Sequence, residues 1–554
     1  MYTFSSKLKI ASIILMVVGL LGVVYGFATS HYTLDEVKTM LAEEEAHHGG
    51  GHAPETEAHV VAGGNDHSDN AHDADAHGAL EDAHDDSDGT HDEMATDSME
   101  HSTDSTYVEV EEITATDSTS VANEAGAMEP QDSTAVDSTA MMADADTMHS
   151  EETGDHADED HSEMAGHHGD AGDDHSVGMG EAHHGDEHAE HVQHQLANRP
   201  WSALYVAAFF FFMIALGVLA FYAIQFAAQA GWSPVLFRVM EGITAYVLPG
   251  ALIVLAIAVA SGTIGHYNLF VWMDPEVVEH DHLIKGKSGW LNLTGFIIRG
   301  LLFIAGWSLY RHFARKFSIA QDEADDNRNF KKSFRIAAGF LVFYIYTESM
   351  MSWDWIMSVD PHWFSTLFGW YVFASMFVSG ITVIAMLTMY LKSRGFLPFV
   401  NDSHLHDLAK FMFGISIFWT YLWFSQFMLI WYSNIPEEVT YFVTRFEDYQ
   451  LPFLGMVVMN FIFPLLVLMN SDYKRIPWFV VMAGIIILCG HYIDVFNMIM
   501  PATVGDRWFI GIPEISSILL FGGLFLFVVF TALTKAPLLA KRNPFIKESE
   551  HFHY

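Results

Sequence analysis

Residues 340–370 read FLVFYIYTESMMSWDWIMSVDPHWFSTLFGW, and the fold turns on how they are interpreted. The stretch is apolar and aromatic-rich, yet it carries Glu348, Asp354, Asp360 and His362. A basic run ending at Arg335 precedes it, and apolar sequence continues after it to Tyr390. It reads as one membrane helix arriving at a surface, a tight acidic turn, and a second helix leaving. Carboxylates at membrane depth are costly, so they face a bundle interior or a water path. Asp360 is expected at a solvated helix end. Glu348 suits a functional role and a structural one equally.

The whole chain holds 26 Lys and Arg against 69 Asp and Glu, a net charge of −43. That balance averages two unlike parts. Residues 35–198 contain 45 acidic residues and one basic residue, Lys38, while the other 390 residues hold 25 basic and 24 acidic. The protein is therefore a nearly neutral apolar body with one acidic insert, not an acidic globular protein, and nothing in it points to a nucleic-acid partner. The insert is low-complexity, with Tyr107 its one aromatic residue. Such a segment cannot bury enough apolar surface to offset its ordering entropy, so it is expected to be disordered. It holds 21 of the 32 histidines. They follow no fixed ligand spacing, which favours a solvated linker over a metal-binding tract. The single cysteine, Cys489, excludes an intrachain disulfide and a four-thiolate metal or iron–sulfur site. A buried structural thiol is expected there.

Apolar runs long enough to cross a roughly 30 Å hydrocarbon layer recur along the chain. The expected spans are 8–28, 201–229, 235–261, 290–314, 333–354, 364–391, 408–432, 450–470, 476–500 and 511–535. The first follows Lys7 and Lys9 and is longer than a secretory h-region, so it reads as an uncleaved span. With the N-terminus inside, 19 of the 26 Lys and Arg fall in cytoplasmic segments, 6 lie opposite, and Arg299 lies within a span. This positive-inside bias puts both termini in the cytoplasm and the insert outside.

Deep ionisable residues form three groups. Arg299, Glu348 and Asp354 have depths compatible with an Arg–carboxylate pair, read either as part of a proton path or as a static lock between helices. His491 and Asp494, three residues apart, share a helix face and suit a proton relay or a satisfied buried histidine. Tyr421, Ser425 and Gln426 are placed to extend such a relay by hydrogen bonding. Glu241, with Thr244 and Tyr246 nearby, reads as a cytoplasmic proton entrance or, more simply, as a carboxylate snorkelling to the interface. The cluster His404–His406–Asp407 sits at a helix start, where Asp407 favours the helix dipole; no metal is expected. No haem-ligating histidine pair, dinucleotide fingerprint or phosphate loop is present, so the chain is expected to hold no redox cofactor of its own.

Three stretches carry a resemblance: MEGITAYVLPGALIVL (240–255), YIYTESMMSWDWIMSVDPHWFSTLFGWYVF (344–373) and FWTYLWFSQFMLIWYSNIPEE (418–438). In these, and in the order of its spans, the chain resembles the NrfD/PsrC-like polytopic subunits. It is most similar to the ActF-type membrane subunit of alternative complex III, a quinol:cytochrome c oxidoreductase. The resemblance implies an all-α integral membrane fold of ten transmembrane helices. These form two four-helix bundles, from the second to fifth and the sixth to ninth spans, with two peripheral helices. Domain limits would be 1–34 for the first helix, 35–198 for the periplasmic insert, 199–360 and 361–505 for the bundles, and 506–554 for the last helix and tail.

It also implies a place in the bacterial inner membrane among lipids, beside a homologous ActC-type subunit. Haem and iron–sulfur clusters would lie only in partner subunits, and a terminal oxidase is a further candidate partner. Quinol is expected to react in the ActC-type neighbour, because its His-Thr-Gly-Arg-Pro-Trp-like stretch has no counterpart here. On this reading Glu348, Asp354, Arg299, His491 and Asp494 make an outer proton half-path, and Glu241 with Tyr246 an inner one. Two rivals stand beside it: a second quinone or quinol site using His266 or Glu348, and a scaffold without transport.

Overall fold

Backbone amides inside hydrocarbon must be satisfied within their own segment, which leaves the helix as the form open to long apolar runs like these. The computed structural model describes residues 2–48, 177–264 and 269–553, and among them no strand occurs. Most of the expected insert, residues 49–176, lies outside the described residues.

In chain order the helices are α1 (Ser6–Thr29), α2 (Leu34–His48), α3 (Val177–Ala227), α4 (Phe237–Ile243), α5 (Val247–Thr263), α6 (Pro275–His280) and α7 (His282–Lys287). They continue as α8 (Leu293–Gln321), α9 (Arg328–Trp355), α10 (Phe368–Ser393), α11 (Asp402–Ser433) and α12 (Pro436–Glu447). The last five are α13 (Gln450–Val457), α14 (Phe463–Leu468), α15 (Pro477–Val504), α16 (Ile512–Leu533) and α17 (Ile546–Glu550). Among the described residues, nine helical segments are long and apolar enough to cross a membrane. They agree with the expected spans to within a few residues at most ends. The expected span at 333–354 is not among the nine, although α9 is a helix of 28 residues. Its first turns carry Lys331, Lys332 and Arg335, and its last turns Glu348 and Asp354.

α3 is the hub. Its apolar part is buried on nearly every side, as a helix that is hydrophobic all round must be. It packs against α5, α9, α10, α15 and α16. α5 and α9 both also pack on α8. Around the other side of α3, α10 and α15 pack on each other and on the α11, α13 and α14 segments. α1 lies along α16, outside both groups. Their approach depends on Gly19, where a Cβ would run into the backbone of Leu520. α3 and α10 cross as closely, at Gly217 and Gly380.

Two prolines lie just after irregular turns. Pro249 follows a 3-10 turn at Thr244–Tyr246 that separates α4 from α5. Pro464 follows a π-turn at Val458–Ile462, because a proline N has no hydrogen to give the Asn460 carbonyl.

The two edges of the acidic segment depart from the expected disorder. α2 and the start of α3 are helices that zip together through Val37, Ala189 and Val192, with Leu34, Met40, Leu41 and Leu196 around them. Lys38 pairs with Asp186 at 2.5 Å, and the Gln193 side chain donates to the Tyr32 carbonyl at 2.6 Å. Composition averaged over 164 positions conceals six of these apolar residues at helical spacing, with Leu34 just before them. Cys489 also departs from expectation: it is exposed, not buried.

Candidate functional site

Asp494 lies in α15 with none of its surface exposed. An isolated carboxylate in such a place is strongly disfavoured, so the groups around it decide whether it is tolerated. Two come from α10, where Tyr371 and Ser375 stand one turn apart. The Tyr371 hydroxyl makes a short hydrogen bond to Oδ1. Ser375 Oγ donates to Oδ2 at 2.8 Å, and the Trp419 indole of α11 donates to the same oxygen at 2.9 Å. His491, one turn back on α15 and equally buried, places Nδ1 2.9 Å from Ser375 Oγ and 3.4 Å from Asp494 Oδ2. Both hydroxyls are donors and acceptors. The cluster can therefore hold Asp494 as carboxylate or as acid by turning hydroxyls, without moving a helix.

Polar groups continue from this cluster in two directions. Asn460, carried inward by the π-turn, sets Nδ2 3.5 Å from His491 Nδ1. Asn460 Oδ1 and His491 Nε2 are buried with no hydrogen-bond partner among the described residues. On the other side Tyr371 lines a cavity of about 10 Å³, together with Gln426, Tyr441, Arg445 and Asn497. That is about the room one water requires, and the unpartnered Gln426 Oε1 and Asn497 Oδ1 are the polar partners a water needs. Arg445 is buried above it. It donates to the carbonyls of Asn497 at 3.1 Å and Tyr441 at 2.6 Å and lies over the Tyr441 ring. Of the residues expected to extend the relay, Gln426 is in place, but Tyr421 is exposed and points away.

Glu241, on α4, is buried and does not snorkel outward. Its Oε2 meets Arg238 at 2.8 Å and Arg315 at 3.3 Å. Oε1 accepts from Ser318 at 2.5 Å and Tyr222 at 3.0 Å. Arg238 also bonds Asp322 at 2.6 Å, so its guanidinium is shared between two carboxylates. Asp322, just past the end of α8, has its carboxyl raised by burial and held back by the Arg238 charge. Tyr246 is buried against Phe525, and its hydroxyl has no hydrogen-bond partner among the described residues. It does not join the Glu241 cluster.

Arg299 pairs with Asp354 and not with Glu348. The bond is bidentate, Nε to Oδ2 at 2.6 Å and Nη2 to Oδ1 at 3.1 Å. The Trp290 indole donates to the same carboxylate at 2.8 Å while its ring lies 4.2 Å from the guanidinium. Three residues of α8, α9 and the turn before α8 are thus fastened together. The expected Arg–carboxylate pair is present, with Asp354 and not Glu348 as the carboxylate, because helix depth alone cannot say which face a carboxylate occupies. Glu348 is buried with Ser352 Oγ at 3.1 Å and Ser349 Oγ at 3.4 Å, and forms no ion pair among the described residues. His266 lies outside the described residues.

A cavity of about 440 Å³ opens beside this lock, between the α7–α8 turn and the chain after α9. Its walls include Lys287, Trp290, Trp353, Asp360 and Trp363. Glu348 does not line it. His404 caps the start of α11 with Asn401, and no group of three metal-ligating side chains occurs among the described residues.

Sequence reasoning missed Tyr371, Ser375 and Trp419, which make the Asp494 site, and Arg238 and Arg315, which make the Glu241 site. A signal existed in α10: Tyr371, Ser375, Ser379 and Thr382 set a line of hydroxyls along one helix face in an otherwise apolar segment. The chain matches no protein-family model, and no curated protein matches it.

Proposed function

We propose that the chain is a polytopic subunit of a bacterial respiratory quinol:cytochrome c oxidoreductase, carrying proton half-paths coupled to quinol oxidation in a neighbouring subunit. The observation that carries this reading is the Asp494–His491–Tyr371–Ser375 cluster, four convertible groups from two helices in an apolar interior with a one-water cavity on one side. Buried ionisable residues in a bundle interior are costly and mark ion or proton pathways. The outer half-path runs from the Arg445 cavity through Tyr371 to Asp494 and His491. Glu241 with Arg238, Arg315 and Asp322 forms the inner end.

In this reading α9 also crosses the membrane and brings the spans to ten, the helices make two four-helix bundles, and both termini are cytoplasmic with the insert periplasmic. The positive-inside count supports that orientation. Haem and iron–sulfur groups belong to partner subunits, the ActC-type subunit holds the quinol, and a terminal oxidase completes the candidate set.

The scaffold reading has one observation in its favour: Asp354 is tied by three donors, two from Arg299 and one from Trp290, into a bidentate lock between helices. That cluster is assigned to structure, and conduction to Asp494. A quinol site at Glu348 gains nothing from the geometry, since that carboxyl is enclosed by its own helix's serines. Isolation of the tagged chain from its native membrane tests complex membership. Recovery with c-type haem absorbance and iron–sulfur paramagnetic signals in fixed ratio is expected. Recovery of the chain without either overturns the assignment.

A further inference from the structure

A long groove of about 510 Å³ lies between the α1–α16 pair and the body formed by α3, α10 and α15. Its walls are almost wholly hydrocarbon: Leu8, Phe211, Met386, Leu488 and Leu526 are among them. Along α16 it extends from Ile518 to Phe530, about 18 Å at 1.5 Å per residue. Half the hydrocarbon thickness of a bilayer is about 15 Å. The groove therefore matches one leaflet in length.

One end is marked chemically. Tyr390 lines the groove and meets Phe530, which in turn meets Tyr2 and Phe4. The Arg394 guanidinium lies 5.9 Å from the Tyr390 ring. Lys7 immediately precedes Leu8, and Lys535 follows Phe530 on the same helix end. Arg394, Lys7 and Lys535 are exposed and form no ion pair among the described residues, whereas neighbouring Lys392 is taken by Asp402 at 2.8 Å. An apolar channel one leaflet long beneath three unpaired cations fits an anionic amphiphile with a single straight tail in the groove.

We propose that this groove holds one acyl chain of an anionic phospholipid, its head group on Arg394, Lys7 and Lys535. The lipid fills the seam between the peripheral α1–α16 pair and the rest of the molecule. The proposal does not rest on proton conduction.

The test is mass spectrometry of the intact assembly from native membranes, after exhaustive exchange into mild detergent, with organic extraction of what remains bound. One anionic phospholipid per chain is expected to survive the exchange in wild type. In a Lys7→Gln, Arg394→Gln, Lys535→Gln variant its retention falls at least tenfold, with subunit composition unchanged. Gly522→Leu, which fills the groove near Phe211, abolishes retention even with the cations intact. Retention of a prenylquinone or only detergent, no retained lipid, or equal phospholipid retention in wild type and the triple variant overturns the proposal. Should Gly522→Leu fail to assemble, the triple variant alone decides.

Discussion

Asp494 shows how a single residue is made tolerable by its neighbours. Hydrogen bonds to a charged group contribute roughly 1.5–3 kcal/mol each. Tyr371, Ser375 and Trp419 supply three, which is comparable to an effective burial penalty of several kcal/mol. Arg299 and Asp354 represent the opposite case, a charge balanced once and for all. Arg299→Ala leaves a buried carboxylate facing only the Trp290 indole, and a cost of about 3–5 kcal/mol is expected. It would be read as a lowered midpoint of thermal unfolding in detergent, with proton coupling retained in the fraction that assembles. Arg299→Lys should recover part of the stability, because an ammonium cannot reproduce the bidentate fork. The His491–Asp494 pair was legible in the sequence from its three-residue spacing. Its partners were not, since they come from helices 75 and 123 residues away and only packing brings them in.

At the scale of elements, the π-turn at Val458–Ile462 is the device that aims Asn460 at His491. Pro464→Ala restores an amide hydrogen and lets the turn tighten toward α. The expected outcome is a helix more stable by up to about 3 kcal/mol, with weaker proton coupling. Calorimetry and proton-release measurements on the same preparation check both signs together. The surface turn before α8 makes a pH prediction. Asp281 accepts the backbone amides of Ile284 and Leu283 and lies 2.6 Å from His362 Nε2. The Ile284 amide, and after it His362, hold its carboxyl below the ordinary carboxylate range. A depressed pKa in the folded state means the contribution is present above the unfolded value and disappears as pH falls through the folded one. The protection of α7 amides relative to their intrinsic exchange rate should thus be constant through neutral pH and fall only below about pH 4. Asp281→Ala should remove that pH step. The 3-10 turn before Pro249 and the π-turn before Pro464 were not read from the sequence, since the form of each depends on packing.

Across the whole molecule, apolar run lengths located nine of the ten expected spans, because a spanning helix is dictated by bilayer thickness. α9 escapes that criterion because charged residues lie in both its first and its last turns. The central place of α3 was not read from sequence, although its all-round apolar surface signals it. The zipped edges of the acidic segment, α2 against the start of α3, were hidden by the average of a much longer stretch. The central claim is that Asp494 changes protonation during turnover and passes protons through the bundle. The most direct test is Asp494→Asn, which keeps the shape of the side chain and, like the protonated acid, offers one acceptor group and one donor group but cannot ionise. Proton release per electron is measured in vesicles reconstituted with the intact complex. Protons beyond those released by quinol chemistry itself should vanish while electron transfer continues; an unchanged ratio at full turnover would contradict the claim.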